Sequence, residues 1–103
     1  MNNDVQQEII ILNVMRYENE KGKGSRVSFI LSDQKQETKN FNGYPVVDQF
    51  YKDDTSILNK ITDEFIFEPV VATFKSQTNT RNPLRTSSIL SRIESDNNAV
   101  DLL

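Results

Sequence analysis

Residues 9–31 read IIILNVMRYENEKGKGSRVSFIL and are the part of the chain that decides its fold. Two runs rich in β-branched and aromatic residues stand at the ends of this stretch, and the polar segment 18–25 separates them. Apolar runs on either side of a Gly-containing polar segment are typical of a β-hairpin. The sequence therefore predicts a long hairpin near the N-terminus.

The polar segment of this hairpin carries positive charge. It is longer than a two-residue turn, so we expect a flexible finger with Lys21 and Lys23 at its tip and Arg16 and Arg26 near its base. A curved hairpin with basic residues at its tip is suited to binding a polyanion. Many hairpins also carry Lys-Gly tips for solubility alone, so both interpretations stay open.

The residue types that are missing exclude most catalytic chemistry. The chain has 103 residues, enough for one small domain with a thin core, and it contains neither Cys nor His. Disulfides, thiolate metal sites and Ser-His or Cys-His pairs are therefore impossible. Since no calcium-loop string of carboxylates occurs either, we expect no enzyme, no metal site and no cofactor.

The hydrophobic pattern predicts a cytoplasmic protein that does not enter a membrane. No apolar run approaches the ~20 residues that a membrane-spanning helix needs. The N-terminus reads MNNDVQQE, which is too polar and acidic for a signal peptide.

Charge is distributed unevenly along the chain. The net charge of −3 argues at first against nucleic acid. Residues 69–93, however, contain four basic residues and no acidic one, whereas residues 33–68 contain eight acidic and four basic residues. A binding groove depends on local patches rather than on the sum of charges. The sequence therefore predicts a polarised surface.

The remaining elements follow from hydrophobic periodicity and turn residues. The predicted elements are strand one at 8–18, strand two at 26–32, a short strand three at 38–41, a helix of about two turns within 53–61, strand four at 63–76 and strand five at 84–93. Pro69 lies within strand four and implies a bulge or an edge position there.

This order of elements, three strands, a short helix and two strands, is that of the OB-fold. We therefore expect an all-β chain with one short helix, built as a five-stranded OB-fold Greek-key barrel over residues 1–94, with an acidic C-terminal tail at 95–103. In that fold the strand 2–3 face and the 1–2 and 4–5 loops bind oligonucleotides or oligosaccharides. Here those loops are 18–25 and 76–83, and both carry Lys or Arg. An open α+β sheet is the alternative.

These features together resemble the small OB-fold single-stranded DNA-binding proteins of phages and plasmids. The similarity rests on the hairpin with its Lys-Gly tip, the interposed helix, the basic second hairpin and the acidic tail. It implies a protein that coats and protects single-stranded DNA in replication, recombination or transfer. It also implies a homodimer and contacts of the tail with replication or recombination proteins. The chain departs from the bacterial members of this class in two ways. It has no Trp for base stacking, and its tail ends in Asp101-Leu102-Leu103 rather than in Pro-Phe.

A single-strand binder needs cations for phosphates and aromatic rings for bases. Not every aromatic residue is a candidate. We predict that Phe29, Phe65 and Phe67 are core residues and that Phe50 and Tyr51 anchor the helix. The candidate cations are Arg16, Lys21, Lys23, Arg26, Lys39, Lys75, Arg81 and Arg85. The candidate stacking rings are Tyr17, Phe41, Tyr44 and Phe74.

A second class of function stays open, a protein–protein interaction or structural adaptor without nucleic-acid binding. The pI of about 4.9 favours this alternative. The tail also allows two interpretations. Its acids could compete with phosphate over a basic groove while it is disordered, or Val100, Leu102 and Leu103 could dock on the domain or on a second subunit.

Overall fold

The chain is organised around a long antiparallel hairpin of β1 (Val5–Asn19) and β2 (Gly22–Leu31). Its pairing extends from Ile9 opposite Leu31 to Asn19 opposite Gly22. The computed structural model describes the backbone of residues 4–78 and 86–103 and the side chains of residues 4–76 and 88–103. The predicted hairpin is confirmed over this part of the chain.

The further elements, in chain order, are β3 (Gln36–Glu37), β4 (Asn42–Gly43), β5 (Val47–Lys52), helix α1 (Ile57–Lys60), a 3-10 turn (Asp63–Phe65), β6 (Pro69–Thr78), β7 (Thr86–Glu94) and β8 (Ala99–Asp101). Most of the strands extend the sheet of the hairpin, in the order β5-β2-β1-β6-β7-β8, with antiparallel neighbours throughout. The short strands β3 and β4 pair only with each other in the described chain.

The chain is therefore mostly β with one short helix, as predicted. The described strands form an open six-stranded sheet that does not close into a barrel, so the expected five-stranded barrel is not found. The sheet is nevertheless curled. A bulge between Ile11 and Asn13 bends β1, whose Val5–Ile10 part pairs with β6.

The curl brings β5 close to β7, and side chains join the two strands. Tyr51 Oη donates a hydrogen bond to the carbonyl oxygen of Leu90 over 2.6 Å, and the Leu90 N–H donates to Gln49 Oε1 over 3.4 Å. Tyr51 is only 4% exposed, and its burial raises its pKa well above the usual range of a tyrosine. The buried phenol thus stays neutral and holds the curled sheet together.

The inner face of the curled sheet forms the core. Alternate residues of each strand point to this side because the side-chain period of a strand is two. The helix and the 3-10 turn cover part of it with Ile57, Ile61 and Phe65, all of them buried. The strand residues of the core are Ile9, Ile11, Val27, Phe29, Tyr51, Val70, Ala72, Leu90 and Ile93.

The hairpin ends in a tight turn rather than in the expected flexible finger. Pairing continues to Asn19 opposite Gly22, which leaves only Glu20 and Lys21 between the strands. The Lys21 N–H donates to Asn19 Oδ1 over 2.9 Å, and Gly22 takes a φ of +141° that favours glycine. This local turn chemistry keeps the strands paired almost to the tip, so the prediction of a long loop is wrong.

The third strand of the sheet lies later in the chain than predicted. Residues 38–41, expected as a strand, connect β3 to β4, whereas β5 pairs with β2 from Val47 opposite Phe29 to Lys52 opposite Gly24. Residues 47–52 alternate between the two faces with a period of two. The turn signals at Asn42-Gly43 and Pro45 favoured an exit from the sheet and concealed this alternation.

The helix is also shorter than expected, with one turn instead of about two. Residues 53–56, at the start of the predicted helix, form the preceding loop instead. Asp54 Oδ1 accepts a hydrogen bond from the backbone N–H of Ser56 over 2.9 Å and another from its hydroxyl. These hydrogen bonds lower the pKa of the Asp54 carboxyl below its usual value.

Phe67 is not the core residue that the sequence predicted, because it is 74% exposed. Its backbone takes a left-handed φ of +58°, and its N–H donates to the carbonyl oxygen of Ile11 over 2.8 Å. This turn directs the ring outward just before Pro69. Pro69 is the first residue of β6, a position that accommodates a missing N–H.

The C-terminal residues dock on the domain, which is one of the two alternatives that the sequence left open. β8 pairs with β7 from Ala99 opposite Glu94 to Asp101 opposite Arg92, and the latter two side chains form a 2.9 Å ion pair. Leu102 is fully buried, and its N–H donates to the carbonyl oxygen of Ser91 over 2.8 Å. The disordered alternative is not what the structure shows for these residues.

Candidate nucleic-acid interface

The outer face of β1, β2 and β5 carries an aromatic and basic surface, which we call the outer platform: Met15, Tyr17, Arg26, Phe50 and Lys52. The strand register places Arg26 between Met15 and Phe50, and Gly24 between Tyr17 and Lys52. Because neighbouring residues of a strand point to opposite faces, these side chains point away from the core. Phe50 is 54% exposed and Met15 is 42% exposed, so the platform is open to solvent.

Two aromatic rings form the centre of the outer platform. The ring centroids of Tyr17 and Phe50 lie 6.1 Å apart, and the ring planes meet at 74°. The rings reach each other across β2 because Gly24 has no side chain between them. A Cβ atom at Gly24 would meet the hydroxyl end of Tyr17 and the carbonyl oxygen of Tyr51.

An open cleft of about 300 Å³ lies beside these rings at the end of the hairpin. Lysines on three segments border it: the turn, the start of β2 and the end of β5. The register pairs Lys23 with Glu18, on the face opposite to Tyr17, so Lys23 borders the cleft only from the edge of the hairpin tip. Aromatic rings beside lysines are the combination that holds bases by stacking and phosphates by charge. The lining residues are Tyr17, Asn19, Lys21, Gly22, Lys23, Phe50 and Lys52.

Acidic side chains limit the positive charge of this region. Glu18 lies opposite Lys23 in the hairpin, and Glu20 is in the turn. Asp48, on the outward side of β5, accepts a hydrogen bond from the Ser28 hydroxyl over 2.5 Å. The positive charge of the cleft is therefore local, and the acidic side chains around it offset most of it.

Arg26 occupies the middle strand of the outer platform. Its Nε atom is buried and has no hydrogen-bond partner among the described residues. The alternation of side chains along β2 places Arg26 on the same face as Met15 and Phe50.

The predicted cation Arg16 lies on the other face of β1 from its neighbour Tyr17. Arg16 Nε donates to the carbonyl oxygen of Thr55 over 2.8 Å and so ties the hairpin to the segment before α1. Adjacent residues of a strand cannot share a face, and the structure therefore does not bring Arg16 to the cleft.

Three further candidates lie at the far end of β2 and β5, between Leu31 and Val47. Lys39 is exposed, and so are the rings of Phe41 and Tyr44, at 44% and 40%. The cleft is at the opposite end of the same strands. These residues could contact a ligand only if it extended along the whole length of the strands.

The candidates of the second hairpin are also separate from the cleft. Phe74 packs against the core ring of Phe29 at a centroid distance of 5.8 Å and is half-buried. Lys75 is exposed next to the pair Val5–Phe74, at the opposite end of β1 from Tyr17. Arg81 and Arg85 lie outside the described residues.

Sequence reasoning missed three of the platform residues, Met15, Phe50 and Lys52. Phe50 was expected to anchor the helix together with Tyr51. The signal that could have identified it is the alternation of 47–52, in which Asp48, Phe50 and Lys52 share one face. Such an alternation predicts a strand with one buried and one solvent-exposed face.

Within residues 4–78 and 86–103, no cluster of carboxylates could hold a metal ion, and no helix is long and apolar enough to cross a membrane. Comparisons with protein-family models, with curated proteins and with solved structures found no match to this chain.

Proposed function

We propose that this chain is a non-enzymatic single-stranded DNA-binding protein with little sequence preference, and that the outer platform and its cleft are the binding site. One observation carries the proposal. The exposed ring of Phe50 and the ring of Tyr17 lie in contact beside a cleft bordered by Lys21, Lys23 and Lys52. Stacking is worth about 1–3 kcal/mol per base and is available only to a base that is not paired within a duplex.

The order of elements supports an OB-like architecture for this site. The chain order of β1, β2, β5, α1, β6 and β7 is the three-strand, helix, two-strand order of that fold. The OB-fold is a partly open barrel that binds oligonucleotides on the face of its second and third strands. In this chain those strands are β2 and β5, which carry Arg26 and Phe50.

The contacts on the platform would tolerate many sequences. Every base has a π-face to stack, and phosphates carry no sequence information. Coating single-stranded DNA during phage or mobile-element replication, recombination or transfer is the role that such contacts fit. The proposal includes a homodimer in the cytoplasm and a contact of replication or recombination proteins with the C-terminal segment.

Fluorescence anisotropy of labelled oligo-dT over a range of salt concentrations tests the proposal. The logarithm of affinity should fall with the logarithm of salt by ~0.7 per neutralised phosphate. The double variant Lys21→Glu/Lys23→Glu should bind more weakly and with a smaller salt slope. Lys35→Glu/Lys39→Glu changes the charge equally, but its sites lie between β2 and β5, far from the cleft.

The control pair decides whether the cleft is the site. We expect Lys35→Glu/Lys39→Glu to retain most of the affinity of the unmodified protein. Equal losses in both double variants would show that only overall charge matters and would remove the cleft from the site. Absence of oligo-dT binding by the unmodified protein at low salt would refute the proposed function.

One observation favours a second candidate, a surface for another protein. Phe67 exposes 74% of its area from a left-handed backbone position, and Leu58 is 40% exposed on α1. A strained conformation that presents an apolar ring is more common at functional surfaces than elsewhere. This candidate requires that replacing Phe67 abolish an association with a protein while oligonucleotide affinity stays unchanged.

A further inference from the structure

The sheet ends in two strands of unequal length, β5 with six residues and β8 with three. The Asp53 N–H donates to the carbonyl oxygen of Lys23 over 2.8 Å, so these two residues form a hydrogen-bonded pair at the end of the β2–β5 ladder. Hydrogen-bonded and non-hydrogen-bonded pairs alternate along an antiparallel ladder. The backbone N–H and C=O groups of Asp48, Phe50 and Lys52 therefore point away from β2, and we call these groups the β5 edge.

The β5 edge is open to another strand. The curl of the sheet brings β7 near β5, but the contacts come from the side chains of Gln49 and Tyr51, which reach Leu90. No backbone hydrogen bond joins β5 to β7 within residues 4–78 and 86–103. In that part of the chain the Phe50 carbonyl accepts one long hydrogen bond, 3.4 Å from the Gln49 amide. Unpaired N–H and C=O groups along a sheet edge are a template for pairing with a further strand.

The side chains along the β5 edge are complementary to a second copy of themselves. Asp48, Phe50 and Lys52 share the outer face and are exposed, with opposite charges two residues before and two residues after the ring. The hydroxyl of Ser28 holds the Asp48 carboxylate on this face with a 2.5 Å hydrogen bond. If two such strands pair antiparallel about a two-fold axis at Phe50, Asp48 lies opposite Lys52 of the partner subunit. Opposite charges and aromatic rings at directly opposed positions stabilise a strand pair.

We propose that the β5 edge binds a second copy of this chain, in antiparallel register about Phe50, and so joins two outer platforms into one surface for single-stranded DNA. The DNA part of this inference rests on the proposed function, and the pairing names the surface of the homodimer included there. Charge and backbone select the same register, because the residues that match in charge are those whose N–H and C=O groups face the edge. A shift by two residues would place each charge opposite a ring.

The two-fold axis makes the assembly closed and continuous on its outer face. Each copy offers the same edge to the other, so the pairing forms a dimer and uses up the longer free edge of both sheets. The rings of Tyr17 and Phe50 in one subunit then lie in the same sheet face as those of the other. A single strand of DNA that crosses the axis can therefore contact the rings and lysines of both subunits.

Sedimentation equilibrium of the full chain without DNA tests the pairing. Asp48→Lys places two lysines opposite each other at both ends of the interface, and Lys52→Glu places two acids there. Each single reversal should weaken dimerisation about tenfold or more. The double variant Asp48→Lys/Lys52→Glu restores opposite charges and should dimerise within about threefold of the unmodified protein. Lys39→Glu, an equal change of charge between β2 and β5, is the control and should leave dimerisation unchanged.

Anisotropy with labelled oligo-dT of about 30 nucleotides, roughly twice the largest site of one OB-fold, tests whether the two platforms act together. Asp48→Lys adds positive charge to the outer face, so a site confined to one subunit should bind more tightly in this variant. A site shared by two subunits should bind more weakly, because the second set of contacts is lost with the dimer. We expect binding about tenfold weaker than that of the unmodified protein. Equal or tighter binding would overturn the shared surface.

The remaining outcomes separate the pairing from the proposed function. A monomer at all concentrations, a dimer that neither single reversal weakens, or a double variant that stays monomeric would overturn the pairing and leave the proposed function standing. A dimer that responds as expected but binds no oligo-dT at low salt would refute the proposed function and leave the pairing standing. Salt provides a measurement without any variant: dimerisation of the unmodified protein should weaken as salt rises, since the ion pairs are exposed. Dimerisation that strengthens with salt would overturn the charge-matched register.

Discussion

Replacing Leu102 by Ala tests whether the C-terminal segment is part of the core. Leu102 is fully buried, and substitutions of Leu by Ala in protein cores cost about 2–5 kcal/mol. The lower half of this range applies, because a site near the end of the chain can relax into the cavity. The backbone hydrogen bond from residue 102 to Ser91 is retained in the variant, so the loss comes from the side chain alone.

The neighbouring residue supplies the control. Leu103 is 59% exposed, and Leu103→Ala should change the free energy of unfolding by less than about 0.5 kcal/mol. Urea unfolding followed by far-UV circular dichroism measures both variants. We expect Leu102→Ala to lower the free energy of unfolding by about 2–3 kcal/mol and the melting temperature by about 10 °C.

Equal effects of the two substitutions would refute the docked arrangement. The C-terminal acids would then be available to compete with phosphate. In that case, removal of residues 95–103 should raise oligonucleotide affinity, more at low salt than at high salt, because salt screens the competition. With Leu102 docked, the same truncation should instead lower stability, since it removes β8 and the ion pair of Arg92 with Asp101.

Two further substitutions test other contacts. Tyr51→Phe removes the hydrogen bond to Leu90 and should cost about 1–2 kcal/mol in urea unfolding at neutral pH. Burial raises the pKa of Tyr51 in the folded state above that of an unfolded tyrosine, which is about 10. The contribution of the neutral phenol to the free energy of unfolding is therefore complete below pH ~10 and is lost as the pH rises above that value towards the pKa of the folded state. The unmodified protein should therefore show a stability loss above pH ~10 that is smaller in Tyr51→Phe, and identical alkaline profiles would contradict this. Phe67→Asn places a residue that tolerates left-handed backbone at φ +58° and should raise the free energy of unfolding by about 0.5–1 kcal/mol, whereas a clear loss of stability would show that the ring packs.

The hairpin could be predicted from the sequence because it depends on local information. The β-branched runs around Gly22 and Gly24 determine where β1 and β2 pair. The length of the turn could not be predicted in this way. It depends on the Asn19 side chain accepting a hydrogen bond from Lys21, which only a closed turn permits.

The candidate site was predictable in part. Tyr17, Lys21, Lys23 and Arg26 were identified because they surround the hairpin tip, where basic and aromatic residues stand close together in sequence. Arg16 shows the limit of this reasoning. It is adjacent to Tyr17 in sequence, yet the alternation of side chains along β1 places the two on opposite faces.

By itself the sequence determined a small, mostly β chain built on an N-terminal hairpin, with no residues for His- or Cys-based chemistry and with positive charge near the hairpin tip. Only the tertiary structure decided which aromatic ring joins Tyr17, because Phe50 reaches it through the pairing of β5 with β2, some 33 residues later in the chain. It also decided that Leu102 is core while Leu103 is surface. The physical reason is that pairing and burial are set by long-range contacts between strands, which no local pattern of residues contains.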